Sequence, residues 1–237
     1  MRLEWILCRR KETMEYEGLS NYGQFYTEKA PPVIMMAAIS SLPREVGLLT
    51  TPRVLARLQR KERYWKKQRF ATAEERGLTN PEFLQSMQYG LAVHTTLLDT
   101  LGEKKGRETT WAFAARMGRM VLEHFLPTAE DFLRCADPWW AVRCYFLEFF
   151  RVNEREHGMR FEIVKDNHSD FQVRVTDCAW DFIWREAGFP ELAHVHNGSE
   201  SLALSRIMRG VGGEFRRGSC LCKGDAACDW HFCRYQD

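Results

Sequence analysis

The chain has 237 residues, of which 45% are hydrophobic, 28% charged and 13% aromatic, with a net charge of +2. That apolar content excludes a disordered chain, and length and content together give room for a substantial core. The near-neutral charge sets no overall field toward nucleic acid or membrane.

The opening MRLEWILCRRKE carries only a short apolar run, and no later stretch is long and apolar enough for a membrane span. The expectation is a cytoplasmic protein, in which the eight cysteines are thiols rather than disulfides. Residues 1–50 are broken by Gly18, Gly23, Pro31-Pro32 and Pro43. They read as an N-terminal extension around the body, with Val33 to Ile39 as a buried helix candidate. Residues 51–237 read as a single domain, helical over 51–157 and mixed over 158–237.

Thr51-Pro52 begins a helix with Val54, Leu55, Leu58 and Trp65 on one side. Its other side is basic, from Arg53 to Arg69, and reads either as a phosphate-binding stripe or as a solvated face balanced by acids elsewhere. No zinc-finger, RNP-type or Gly-rich phosphate motif accompanies it, so nucleic acid is not the expected partner. Asn80-Pro81-Glu82 opens a second helix running to Gly102, with His94 on its apolar stripe as a core residue. A third helix carries Trp111, Ala114, Ala115, Gly118, Leu122 and Phe125 inward. Its small residues predict a close helix crossing, and His124 sits near its carboxyl end. Thr128 to Asp131 reads as a capping box, and Asp137-Pro138 starts an aromatic helix through Tyr145, Phe146 and Phe149.

After Gly158 the period changes to two: Phe161 and Ile163, then Phe171, Val173 and Val175, around an Asp166 to Ser169 turn. Asp177 caps a short helix beginning at Cys178. Pro190 and Ser199 start two shorter helical pieces, and glycines 210, 212 and 213 lead into a terminal hairpin. The fold class is therefore α+β, a helical N-terminal body packed on a small antiparallel sheet of about four strands.

Cys220, Cys222, Cys228 and Cys233 crowd that terminal hairpin around Lys223-Gly224-Asp225. Period two puts Cys228, Trp230 and Phe232 on one face and Asp229, His231 and Cys233 on the other, with Cys220 and Cys222 sharing a face. Three readings stay open: four thiolates around zinc, a cysteine nucleophile lowered by a neighbouring imidazole or cation, or buried thiols acting as small apolar residues. The spacing lacks the paired zinc-ribbon pattern, and no metal or cofactor is expected.

Gly224-Asp225-Ala226-Ala227-Cys228-Asp229-Trp230-His231-Phe232, together with Cys178 opening a helix and Gly188-Phe189-Pro190-Glu191-Leu192, resembles the L-2-amino-thiazoline-4-carboxylic acid hydrolase family. Where that family tends to place a second cysteine and an aspartate, this chain has His194, His196 and Asn197. The resemblance implies hydrolytic opening of a cyclic C=N bond in a small thiazoline acid. It implies Cys228 as nucleophile or substrate-facing thiol, Asp229 orienting a proton carrier, and Cys178 and His196 across the pocket with His196 as acid/base. Arg216 or Arg217 would take the substrate carboxylate, with His124 and His231 as further substrate contacts. Two alternatives remain: a divergent natural-product biosynthetic enzyme performing another ring opening, cyclisation or rearrangement, and a non-enzymatic small-molecule-binding domain. The second rests on the similar Cys-Gly-Asp-Cys endings of 4-vinyl reductase type modules. A small molecule is the partner under all three.

Overall fold

The computed structural model describes residues 40–235 apart from residue 79, with the backbone alone over 121–125. The expected helix at Val33 to Ile39 lies outside the described residues. Residues 40–46 are helical and bury Leu42 and Val46 against Val54, Val93, Leu97 and Phe113.

Local signals start the long helices. α1 (Thr51–Trp65) has proline in its first turn and buries Val54 and Trp65. Leu55, expected inward, is 38% exposed. On the basic side Arg57 donates to the Asp99 carbonyl, Lys61 sits 2.8 Å from the Asp99 carboxylate, and Lys66 pairs with Glu62 at 2.7 Å. After the short α2 (Ala71–Glu75), Asn80 caps α3 (Pro81–Leu101), its Oδ1 accepting the Phe83 N–H at 2.9 Å. Gly102, at φ 80°, ends that helix in a conformation that glycine alone adopts without strain. Phe83, Met87, Leu91 and Leu97 are fully buried along α3.

α4 (Glu103–Phe125) turns back along α3 and also packs on the later helix Glu191–Gly210. Its inward side differs from the period-based reading: Thr109, Thr110 and Phe113 are buried, whereas Trp111 is 43% exposed. Gly118, also expected inward, does make a close approach, to Ser199. The capping box forms at α5 (Ala129–Leu133), and Asp137 caps α6 (Pro138–His157), which ends in a left-handed Gly158.

The strands β1 (Arg160–Asp166), β2 (Asp170–Asp177), β3 (Gly213–Arg216) and β4 (Cys228–Arg234) make one antiparallel sheet in the order β1-β2-β4-β3. The α+β class expected from the sequence is thus the observed one. α6 lies across the sheet's inner face through aromatic contacts, with Phe146 stacked on Phe232 at 4.7 Å and Phe150 edge-on to Trp230 at 5.1 Å. Burying such a ring contributes about 1.5–3 kcal/mol. β1 is an edge strand; Ile163, expected inward, is 44% exposed, because little of the helical layer reaches that edge.

Between β2 and β3 run α7 (Ala179–Glu186) and α8 (Glu191–Gly210). The two short pieces expected here form one continuous helix: Leu192, Val195, Ser199, Leu204 and Met208 are buried before and after Gly198, as the helix packs on both α4 and β3. The β3–β4 connection is also more than a hairpin turn. Cys220 and Cys222 do share a side, but on a 3-10 turn (Leu221–Lys223) closed by Gly224 at φ 87°, not on a strand.

Candidate functional site

Four elements meet at one end of the sheet. β2 ends at Asp177, and Cys178 follows in extended backbone as the residue before α7. Val175 pairs with Cys228 across β2 and β4, which sets Cys178 near Cys228. α8 contributes His196 and Glu200, one turn apart, and His194 and Asn197, likewise one turn apart, with Asn197 also three residues from Glu200. The connection into β4 supplies Arg217, Cys220 and Cys222.

These elements close around a cavity of about 20 Å³, room for about one water molecule. Its wall includes Phe149, Cys178, Trp180, His196, Glu200 and Cys228. Trp180 stacks on His196 at 4.0 Å and 23°, and covers it. His196 Nε2 sits 3.0 Å from Glu200 Oε1. Arg217 completes this group, its Nη2 3.1 Å from Glu200 Oε2 and its other terminal nitrogen donating to the Asn197 side-chain carbonyl. The guanidinium also lies over the Trp230 ring at 4.3 Å. Burial alone would push Glu200 up, but the charges of His196 and Arg217 win and hold it below the ordinary carboxylate value.

Beside the cavity the sulfurs form a row. Cys228 donates to Cys220 at 3.5 Å, Cys220 and Cys222 are 2.9 Å apart, and Cys222 reaches His194 Nδ1 at 3.4 Å. The Asn197 amide donates to both Cys220 (3.0 Å) and Cys222 (3.2 Å), and the Leu221 N–H donates to Cys228 (3.2 Å). The turn is pinned by the Cys220 N–H donating to Asp225 Oδ2 at 2.7 Å, which is what the Gly-Asp pair before Cys228 does structurally. The protons are unevenly held. Cys220 is brought down to about 5 by the Cys228 hydrogen bond first, then by Cys222 and by Arg217. Cys222 is pushed up to about 12, chiefly by burial. Cys178 is likewise pushed up to about 12 by burial, and Cys228 is raised by its bond to Cys220 and by burial.

No family model matches this chain, and no curated protein does. Among solved structures, the crystal structure of Fe(II) unliganded H-NOX protein from K. algicida is similar, with a TM-score of 0.39 and 6% identity over 86% of this chain and 96% of that one. A likeness of that size bears on neither family nor function.

Of the residues expected in a catalytic role, Cys178, His196 and Cys228 line the same cavity. Asp229 does not join them: it faces the opposite side of β4, accepting from Ser219 at 2.9 Å and from Arg174 at 3.3 Å. Of the substrate-binding candidates, Arg217 lies behind the cavity wall, its two terminal nitrogens bonded to Asn197 and Glu200 and its Nε buried without a partner. Arg216 lies on the outer side of the sheet, paired with Glu214. His231 is on that outer side too, 2.9 Å from Asp170. His124 belongs to the part of α4 whose side chains are not described. Sequence reading named Asn197 without giving it a role and missed Glu200 and Trp180. The four-residue spacing from His196 to Glu200 was the one visible signal for the first.

Two groups have metal-ligand chemistry. The row Cys228, Cys220, Cys222 and His194 offers soft donors, but as a succession of contacts. Among the described residues, the group whose ligand atoms all lie within 4.8 Å of one another is Asp170, His231 and Cys233.

Proposed function

We propose that this chain is a small-molecule-binding domain, in the manner of 4-vinyl reductase type modules, with its ligand taken at the cavity under Trp180. The observation that carries this reading is the cavity itself, walled by Phe149, Trp180 and Trp230, with His196 and Glu200 paired to each other at 3.0 Å. Burial raises Cys178, and the bond to Cys220 together with burial raises Cys228, which disfavours the thiolate a nucleophile needs. The nearby cation is also occupied, since Arg217 is bound by Glu200 and Asn197. What remains suits binding: aromatic and apolar walls with a few fixed polar groups. Because the closed cavity has room for little more than one water, a ligand enters by moving Trp180 off His196, and the event is reported by indole fluorescence.

A hydrolase resembling the thiazoline carboxylate enzymes is the second reading, favoured by the convergence of Cys178, His196 and Cys228 on one cavity. There His196, paired with Glu200, would take a proton from a cavity water that attacks the ring carbon. The divergent biosynthetic enzyme uses the same cavity for another bond change.

Mass spectrometry after incubation with 2-aminothiazoline-4-carboxylate separates the three. Binding predicts unchanged ligand, a saturable change in tryptophan fluorescence, and loss of that change in Trp180→Ala. A product heavier by one water, absent with a folded Cys228→Ala protein, would replace the binding reading with the hydrolase. A product with any other mass change would favour the biosynthetic enzyme.

A further inference from the structure

The outer face of the sheet carries a group that no part of the cavity uses. β4 places His231 and Cys233 two residues apart on that face, and β2 sets Asp170 directly across from Cys233 in the strand register. Glu214 of β3 is Cys233's partner on the other side. His231 Nε2 lies 2.9 Å from Asp170 Oδ1 and 3.2 Å from Cys233 Sγ.

One imidazole nitrogen therefore faces both a carboxylate oxygen and a sulfur. If Nε2 carries a proton, that proton is directed well at one acceptor and poorly at the other. If Nε2 is bare, it meets the Asp170 oxygen lone pair to lone pair. Three donors converging in this way are satisfied together by a cation placed among them. The remaining oxygen of Asp170 is already held from outside, with Lys165 Nζ and Ser169 Oγ each 2.9 Å from Oδ2. Such outer hydrogen bonds orient a ligating carboxylate and leave its inner oxygen for the metal. The three ligands stand on two paired strands, with side chains 19%, 23% and 8% exposed for Asp170, His231 and Cys233. The group is thus rigid and still reachable from solvent.

We propose that Asp170, His231 and Cys233 form a binding site for a divalent transition metal of the zinc type. One imidazole, one thiolate and one carboxylate make a borderline donor set, which suits Zn²⁺ or Co²⁺ and not the oxygen-seeking Mg²⁺ or Ca²⁺. Glu214 is engaged by Arg216, so the fourth position is left to water. Binding releases the thiol proton of Cys233 to solvent as the metal–sulfur bond forms. The site departs from the sequence expectation of no metal, because the ligands come from two strands far apart in the chain. It is also separate from the Cys220 row, whose residues face the other side of β4.

The test uses the full chain, reduced and stripped with a chelator, then titrated with Co²⁺ and with Zn²⁺ beside His231→Gln and Cys233→Ser. The expected result is a thiolate-to-cobalt charge-transfer band, with one equivalent lost in either variant or its affinity weakened beyond the ~10–100-fold that even an outer partner's loss produces. Metal uptake and affinity equal to wild type in both folded variants would overturn the proposal, as would no uptake by the wild-type chain. A second measurement needs no variant: Zn²⁺ should slow alkylation of Cys233, read on its peptide by mass spectrometry. Cys233 labelling at the same rate with and without Zn²⁺ would also overturn it.

Discussion

Cys220 and Cys228 hold their sulfurs 3.5 Å apart with Cys228 as the donor, so the two thiols do not share protonation equally. The Cys228 bond is the largest influence bringing Cys220 down to about 5, and the same bond raises Cys228. The bond thus favours the thiolate at Cys220 and the thiol at Cys228. Cys228→Ala should move the Cys220 titration upward, toward the ordinary thiol range. It should also cost about 1.5–3 kcal/mol, the worth of a hydrogen bond to a charged group. The pH dependence of Cys220 alkylation in the folded protein, under native conditions, measures the first effect and urea unfolding the second. An unchanged Cys220 midpoint would mean that Asn197 and Arg217 alone stabilise the thiolate.

The helix starts were legible because a cap is a local event. Asn80-Pro81, Thr128 with Asp131, and Asp137-Pro138 each satisfy their own first turn, whatever lies elsewhere. Errors came where a distant surface decided. Gly198 costs a helix about 1 kcal/mol, and the residues that α8 buries on either side of it outweigh that cost. Trp111 has an inward spacing, yet it is Phe113, packed with Leu42, Val54, Val93 and Leu97, that α4 buries. In the site, period two correctly separated Cys228 from Asp229. The pairing of Glu200 with Arg217 could not be read, because a lone glutamate on a helix looks solvated until its partner from another segment is placed.

His157 makes stability fall in mild acid. Its ring stacks on Phe83 at 3.9 Å, its Nδ1 meets Asn153 Oδ1 at 2.8 Å, and it is 1% exposed. Burial lowers it to about 4 from an ordinary 6.5. The unfolded chain thus takes up a proton at that site below pH 6.5 that the folded chain refuses until about pH 4. Stability from this residue is complete above the higher value. It declines as pH falls between the two, by roughly 3 kcal/mol in all. Urea unfolding at pH 7 and near pH 4.5 should give a smaller difference in His157→Gln than in wild type. Equal differences would assign the acid sensitivity to other groups.

Glu200 and Arg217 are 9% and 10% exposed and 3.1 Å apart, so neither charge has water as an adequate substitute for the other. Arg217→Met leaves a buried carboxylate with only His196 beside it. The expected loss is about 3–5 kcal/mol, the cost of breaking a buried pair from one side. Glu200→Gln in the Arg217→Met background removes the stranded charge, so the double variant should be more stable than the sum of the single losses predicts. Strict additivity in chemical unfolding would mean that the two side chains act independently.

Gly118 and Ser199 mark the closest approach of α4 to α8: a Cβ built on Gly118 would lie 2.7 Å from Ser199 Oγ and 2.8 Å from its Cβ. The neighbouring atom is the Cβ itself, fixed to the α8 backbone, so a rotamer change cannot relieve the contact. Gly118→Ala should therefore destabilise by about 1–3 kcal/mol as the helices are forced apart, even though alanine is the better helix former by about 1 kcal/mol. Ser199→Gly in the same chain removes the obstructing carbon and should recover most of that loss, less the ~0.5–1 kcal/mol that glycine costs α8. Since Ser199 lies one residue from Glu200, the separation of these helices also sets the depth of Glu200 beside the cavity. A Gly118→Ala protein as stable as wild type would show that the crossing yields, and that Glu200 is held by Arg217 and not by helix packing.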